Sequence, residues 1–117
     1  MAHAWSDIVD FYRERIAHRM GGMEPLLRLC EQIAASRYAV LAAHTSMFTL
    51  VIAQNQESLE RHIELLRIEH TVDGRLRFRF REAPLQPFAW SRDCAGDEGF
   101  AVFERFVCDS RRWFRND

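Results

Sequence analysis

The residues with the clearest chemical potential are four arginines at every second position, Arg75, Arg77, Arg79 and Arg81. Successive residues of a β-strand point to opposite faces, so a strand here places all four guanidinium groups on one side of a sheet. We call the sheet face that carries them the arginine face. Like charges at this spacing repel unless they are compensated, and a row of guanidinium groups can bind phosphate, nucleic acid or an acidic partner protein.

The simpler interpretation is an exposed sheet face kept soluble by its charges, which is common in half-buried antiparallel sheets. The charge distribution along the chain nevertheless shows a local positive surplus. Residues 61–92 contain seven arginines and four acidic residues, whereas the rest of the chain has a net charge of −4. Glu64 and Glu69 on the preceding strand are expected to compensate the arginine charges only in part.

Nucleic acid is a less favoured partner for the arginine face. Proteins that bind single strands place aromatic and basic side chains on the same surface, so that bases stack while phosphates are held. Here Phe78 and Phe80 alternate with the arginines and therefore point to the opposite face. Contact with phosphates is compatible with this pattern, but base stacking by this strand is not.

The sequence lacks the residues that several kinds of catalysis require. All sixteen basic residues are arginine, so lysine Schiff bases and the P-loop lysine are excluded. The cysteines Cys30, Cys94 and Cys108 form no CxxC pair, which favours a reduced, cytoplasmic protein. Only Cys94 lies in a polar segment, where the neighbouring acidic residues oppose formation of a thiolate.

The histidines form no recognisable metal motif. His44, His62 and His70 lie in or near predicted strands, and no HxH, HxxxH or HExxH spacing occurs. We therefore expect no metal and no cofactor. An enzyme remains an alternative, with a small cleft formed by residues 83–97 and these three histidines.

The strand that carries the four arginines is predicted to form a hairpin with the strand before it, and the hydrophobic pattern sets the register of this hairpin. A three-residue loop, Val72-Asp73-Gly74, places apolar side chains opposite one another and puts glycine in the left-handed position of the turn. The resulting predicted pairs are Ile68 with Phe78, Leu66 with Phe80, and Glu69 with Arg77.

The remaining pattern completes a single α+β domain over residues 1–117. We predict a first helix from near Ser6 to Gly21, a second from Pro25 to about Ser36, and a hairpin in residues 38–54 whose polar turn is residues 44–46. Residues 55–61 are predicted to form a turn or one helical turn, residues 83–97 form a long loop, and Asp97 begins a final helix. The predicted architecture is two N-terminal helices, a four-stranded antiparallel meander, and a C-terminal helix packing on one sheet face.

Aromatic residues make up 12% of the chain, more than so small a domain needs for one core. Phe106 and Trp113 widen the apolar stripe of the final helix, so we predict an interface formed by Phe106, Trp113, Phe114 and Trp90. Our first hypothesis is a non-catalytic cytoplasmic protein-binding domain, adaptor or chaperone-like and homodimeric. The alternatives are anion or nucleic-acid binding by the arginine face, and the small enzyme; no membrane partner is expected.

Overall fold

Two helices, five strands and a final helix follow one another along the chain, with a short helix between the second and third strands. The computed structural model describes residues 4–18, 21–111 and 113. None of the helices in these ranges is long and apolar enough to cross a membrane. The elements are α1 (Trp5–Ala17), α2 (Glu24–Ala34), β1 (Ala42–Ser46), β2 (Thr49–Ala53), α3 (Gln56–Arg61), β3 (Leu65–His70), β4 (Arg75–Arg81), β5 (Trp90–Ala95) and α4 (Gly99–Arg105). Two 3₁₀ turns, Arg37–Val40 and Gly96–Glu98, and one π-helical turn, Phe106–Ser110, complete the fold.

The sheet is an antiparallel meander in the order β1-β2-β3-β4-β5. This confirms the α+β prediction, but the sheet has five strands rather than four. The fifth strand occupies residues 90–95, which the sequence pattern assigned to a long loop. Because β5 is an edge strand, it buries only Cys94 and carries the charged Arg92 and Asp93, so it lacks the apolar alternation that marks β4.

The hairpin formed by β3 and β4 has the predicted register. Ile68 lies opposite Phe78 and Glu69 lies opposite Arg77, and the remaining pairs follow in step. Gly74 has a φ of +80°, the left-handed geometry that the three-residue turn requires. The hydrophobic pattern was sufficient here because a slip of one residue would expose the phenylalanine rings.

The first hairpin differs from its prediction in its turn. His44, Thr45 and Ser46 belong to β1, and the turn consists of Met47 and Phe48. The Tyr12 hydroxyl donates a hydrogen bond to the Phe48 carbonyl oxygen over 3.1 Å, which ties this turn to α1. Polar residues are acceptable in β1 because it is the other edge of the sheet.

The main core lies between one sheet face and the helices α1, α2 and α4. Phe78 and Phe80 of β4 are fully buried there, together with Phe103 of α4 and Phe106 of the π-helical turn. The rings of Phe80 and Phe106 lie 5.2 Å apart, centroid to centroid. The alternation of β4 therefore fixes its phenylalanines inward and its arginines outward.

The opposite sheet face is only partly open. Leu59 of α3 packs on Ala42, Val51, Ala53 and Leu65, which forms a second, smaller apolar cluster over β1 and β2. The Asn55 side chain caps α3 by accepting a hydrogen bond from the Ser58 N–H over 2.9 Å. Consequently α3 leaves the outer surface of β4 and β5 uncovered.

Gly96 provides a test of how the hairpin docks on α2. A Cβ atom at this position would lie 2.7 Å from the carbonyl oxygen of Gly74 and 2.8 Å from Cγ of Pro25. We expect Gly96→Ala to lower the free energy of unfolding by about 1–3 kcal/mol, since a backbone oxygen and a proline ring cannot move aside cheaply. Urea denaturation followed by circular dichroism measures the change.

The matched control is Gly21→Ala, where no atom lies within 4 Å of the added Cβ. We expect this variant to stay within about 0.5 kcal/mol of the wild type. Equal free energies of unfolding for the two variants would show that the hairpin is not held against α2 at Gly96.

Candidate anion-binding face

Five arginines and two carboxylates share the outer surface of β3, β4 and β5. Arg67 of β3 joins the four arginines of β4, because the register places it directly opposite Arg79. The carboxylates are Glu69 of β3 and Asp93 of β5, which lie on either side of Arg77 in the register. The arginine face therefore carries a local surplus of three positive charges.

Asp93 compensates Arg77. The Arg77 Nε donates to one carboxylate oxygen over 3.1 Å and a terminal nitrogen donates to the other over 3.4 Å, a two-pronged contact. The hydrogen bond with Asp93, together with its charge, raises the pKa of the Arg77 guanidinium. Sequence reasoning missed this pair because it assigned Asp93 to a loop.

Glu69 compensates a different arginine from the one opposite it. Its carboxylate lies 3.7 Å from a terminal nitrogen of Arg79, a diagonal contact, although its backbone pairs with Arg77. Glu69 therefore compensates part of the arginine charge, as predicted. Glu64, the other predicted source, forms no ion pair within the part of the chain that the structure describes.

Three arginines of this face form no ion pair, although the charge of Arg75 interacts with that of Asp73 in the adjacent turn. Arg67, Arg75 and Arg81 form no ion pair with any carboxylate in residues 4–18, 21–111 and 113. Arg75 is exposed at one end of β4, whereas Arg67 and Arg81 are half-buried toward the other end. The positive surplus is therefore spread along the strand, and the carboxylates lie between these sites.

An aromatic ring, that of Phe88, lies on the arginine face. The Phe88 ring centroid is 4.4 Å from the guanidinium carbon of Arg81 and 5.3 Å from that of Arg79. The three large apolar residues that follow β4, which are Leu85, Phe88 and Trp90, have different environments. Leu85 is fully exposed, and only Trp90 packs against the core.

A concave site closes one end of the arginine face. The connection between β4 and β5 and the C-terminal end of α3 rise above the sheet and enclose about 280 Å³. We call it the Arg81 pocket; it is lined by His62, Leu65, Arg67, Arg81, Pro84 and Leu85. Sequence reasoning missed it, since its walls come from two separate stretches of chain, residues 62–67 and 81–85.

The residues predicted to form an interface pack against one another within the chain. Phe106 is buried, and its ring lies 4.8 Å from that of Trp90 and 5.7 Å from that of Trp113. Trp90 and Trp113 are partly buried, and Phe114 lies outside the described residues. The interface and the homodimer stay predictions.

The structure does not bring the three strand histidines to one site. His62 lines the Arg81 pocket, while His70 lies beside Gly22 on the helix-covered side of the sheet and His44 lies on β1. In the described ranges, no group of three histidine, cysteine or acidic residues could hold a metal ion. The segment 83–97 contains β5, so it is not the single loop that the enzyme alternative required.

A second polar cluster, on the helix side, was not predicted. The Tyr38 hydroxyl donates to Glu104 over 2.7 Å and lies 3.3 Å from Sγ of Cys108, to which Arg37 also donates over 3.6 Å. Burial, with the hydrogen bonds that the hydroxyl shares with Cys108 and Glu104, raises the pKa of Tyr38 to about 12. At neutral pH the hydroxyl is therefore protonated, and it ties the 3₁₀ turn to α4 rather than acting as a base.

Comparison of the chain with protein families, with curated proteins and with solved structures finds no match. Its function is therefore inferred from the geometry of the arginine face and its surroundings.

The thiol groups differ in accessibility, which gives a direct test of the cysteine environments. Cys30 and Cys94 are buried, and burial raises the pKa of both thiols, whereas Cys108 is partly exposed. We expect a chromogenic disulfide reagent to modify only Cys108 in the native protein, because a buried, protonated thiol reacts slowly. Cys30 and Cys94 should react after unfolding in urea.

The control is Cys108→Ser, which should remove the native-state reaction and leave the two slow thiols. A fast native reaction that persists in this variant would contradict the burial of Cys30 and Cys94.

Proposed function

We propose that this chain is a non-catalytic binding domain that captures an acidic segment of a partner protein on the arginine face. The observation that carries the proposal is the set of three arginines, Arg67, Arg75 and Arg81, that form no ion pair among the described residues. Exposed like charges on adjacent strands repel, so an acidic ligand would stabilise this face by supplying the missing charges.

The spacing of the arginines suits an extended peptide. Side chains on one face of β4 repeat at about 6.6 Å, and alternate side chains of an extended acidic peptide repeat at nearly the same distance. Arg75 and Arg81 lie six residues apart on β4, a separation of about 20 Å. A peptide of about six residues therefore spans the uncompensated charges with carboxylates on one side.

An acidic peptide is favoured over nucleic acid by two features. Glu69 and Asp93 lie on the face and would repel a continuous line of phosphates. Phe88 supplies one ring, whereas single-strand binding relies on successive stacking platforms.

The test compares two double variants that remove the same charge from different surfaces. Arg75→Gln with Arg77→Gln acts on the arginine face, and Arg28→Gln with Arg105→Gln acts on the exposed sides of α2 and α4. The probe is a fluorescein-labelled hexaglutamate peptide followed by anisotropy at low and at physiological salt. We expect the face variant to lose about tenfold in affinity and the helix variant to change less than about twofold.

Salt must weaken the wild-type complex, because exposed charges are screened. Equal losses in both double variants would mean that net charge alone governs binding, which overturns the proposal. A single-stranded oligonucleotide of equal charge that binds more tightly than the peptide would assign the face to nucleic acid instead.

A gain of affinity is expected when a competing carboxylate is removed. Asp93→Asn releases Arg77 from its ion pair and raises the positive surplus of the face, so hexaglutamate should bind about twofold or more tightly. The thermal midpoint should change little, since exposed ion pairs contribute little to stability. The control, Asp97→Asn in the exposed turn before α4, removes the same charge elsewhere.

Unchanged or weaker peptide binding by Asp93→Asn would show that Arg77 is not part of the binding surface. A gain of the same size in Asp97→Asn would again point to net charge rather than to this face.

A further inference from the structure

The Arg81 pocket combines a cationic wall with an apolar wall. Arg67, Arg81 and His62 supply the polar side, and Leu65, Pro84 and Leu85 supply the apolar side. Its volume of about 280 Å³ is sufficient for a small aromatic or aliphatic group with a charged end. The pocket therefore suits a ligand that is anionic at one end and apolar along its stem.

The two guanidinium groups of this pocket are not neutralised by nearby carboxylates. Glu69 pairs with Arg79, and the Glu82 carboxylate accepts a hydrogen bond from Arg111 over 2.9 Å. Within the described chain, neither Arg67 nor Arg81 has a carboxylate partner. The pocket thus holds two uncompensated positive charges on adjacent strands.

Arg81 is held in place yet keeps hydrogen-bonding capacity. The Phe88 ring stacks on its guanidinium at 4.4 Å, which restricts the long side chain before any ligand arrives. Its Nε–H is buried and has no acceptor among the described residues. This N–H is one of four buried side-chain polar atoms without a partner among the described residues, and it remains able to donate a hydrogen bond.

Two residues that line the pocket have left-handed backbone conformations. His62 and Leu85 have φ values of +57° and +67°, in the region that residues other than glycine seldom adopt. His62 ends α3 in this conformation, and Leu85, which is fully exposed, lies in the turn that follows β4. These two chain reversals place both residues at the pocket.

The charge of the pocket matches a phosphate monoester better than a carboxylate. A phosphate monoester carries about −1.5 to −2 at neutral pH, whereas a carboxylate carries one charge and leaves one guanidinium uncompensated. Guanidinium groups also bind phosphate oxygens through paired N–H donors. We propose that the Arg81 pocket holds a phosphorylated side chain of the acidic partner segment, with the phosphate between Arg67 and Arg81 and the stem against Leu65 and Leu85.

This inference rests on the proposed function, and its test uses a probe that contains no acidic peptide. Phenyl phosphate is titrated into the full chain by isothermal titration calorimetry, with benzoate as the carboxylate counterpart. We expect benzoate to bind at least about tenfold more weakly than phenyl phosphate, because it lacks the second charge. Equal affinities would overturn the assignment to phosphate.

Arg81→Gln and Arg67→Gln should each weaken phenyl phosphate at least about tenfold. The matched control is Arg75→Gln, which removes an uncompensated arginine from the same face but outside the pocket. It should change the affinity less than about twofold. Two variants on different strands keep the test decisive if one fails to fold, and loss of binding in Arg75→Gln to the same degree would overturn the proposal.

The source of the phosphate is distinguished with peptides. A hexaglutamate peptide with one phosphotyrosine should bind more tightly than its unphosphorylated parent, and Arg81→Gln should abolish that difference. If the phosphopeptide binds no more tightly than free phenyl phosphate, the site belongs to a small phosphate ester and the proposal fails.

The two proposals fail in different ways. Hexaglutamate binding without any binding of phenyl phosphate overturns the pocket and leaves the acidic-segment function intact. Phenyl phosphate binding without any salt-dependent hexaglutamate binding overturns the acidic-segment function, and with it the partner that we assign to the pocket.

Discussion

The alternation of β4 is the constraint on which the rest of the structure depends. Leu76, Phe78 and Phe80 are fully buried beneath the helices, and burial of two phenylalanine rings is worth several kcal/mol. Because side chains of a strand alternate strictly between faces, that burial forces every intervening arginine outward. The apolar core thus stabilises a row of like charges that would not assemble on electrostatic grounds.

The same alternation explains which parts of the fold could be predicted from sequence. The β3–β4 register followed from pairing apolar positions across a glycine turn, since any slip would exchange the two faces. β5 could not be found in this way. Its exposed edge position requires only Cys94 to be buried, and its hydrogen bonds to β4 come from the backbone, which carries no sequence signal.

The failure to predict β5 also explains why the site could be predicted only in outline. The arginines were evident, but which of them are compensated depends on contacts between distant residues. Asp93 reaches Arg77 only because β5 pairs with β4, and Glu69 pairs with Arg79 across a diagonal rather than with the residue opposite. Phe88 reaches Arg81 because the chain between β4 and β5 folds back over the sheet, a path that neither pattern nor spacing specifies.

Few of the acidic residues of the chain form ion pairs on the arginine face. The chain contains seventeen acidic residues, enough to pair with all sixteen arginines, yet among the described residues only Glu69 and Asp93 form ion pairs on this face. Interspersed charges of both signs also keep a surface soluble and avoid mutual repulsion, so solubility does not require this arrangement. Arg67 and Arg81 form no ion pair beside the Arg81 pocket, and a ligand that supplied the opposite charge there would relieve their repulsion.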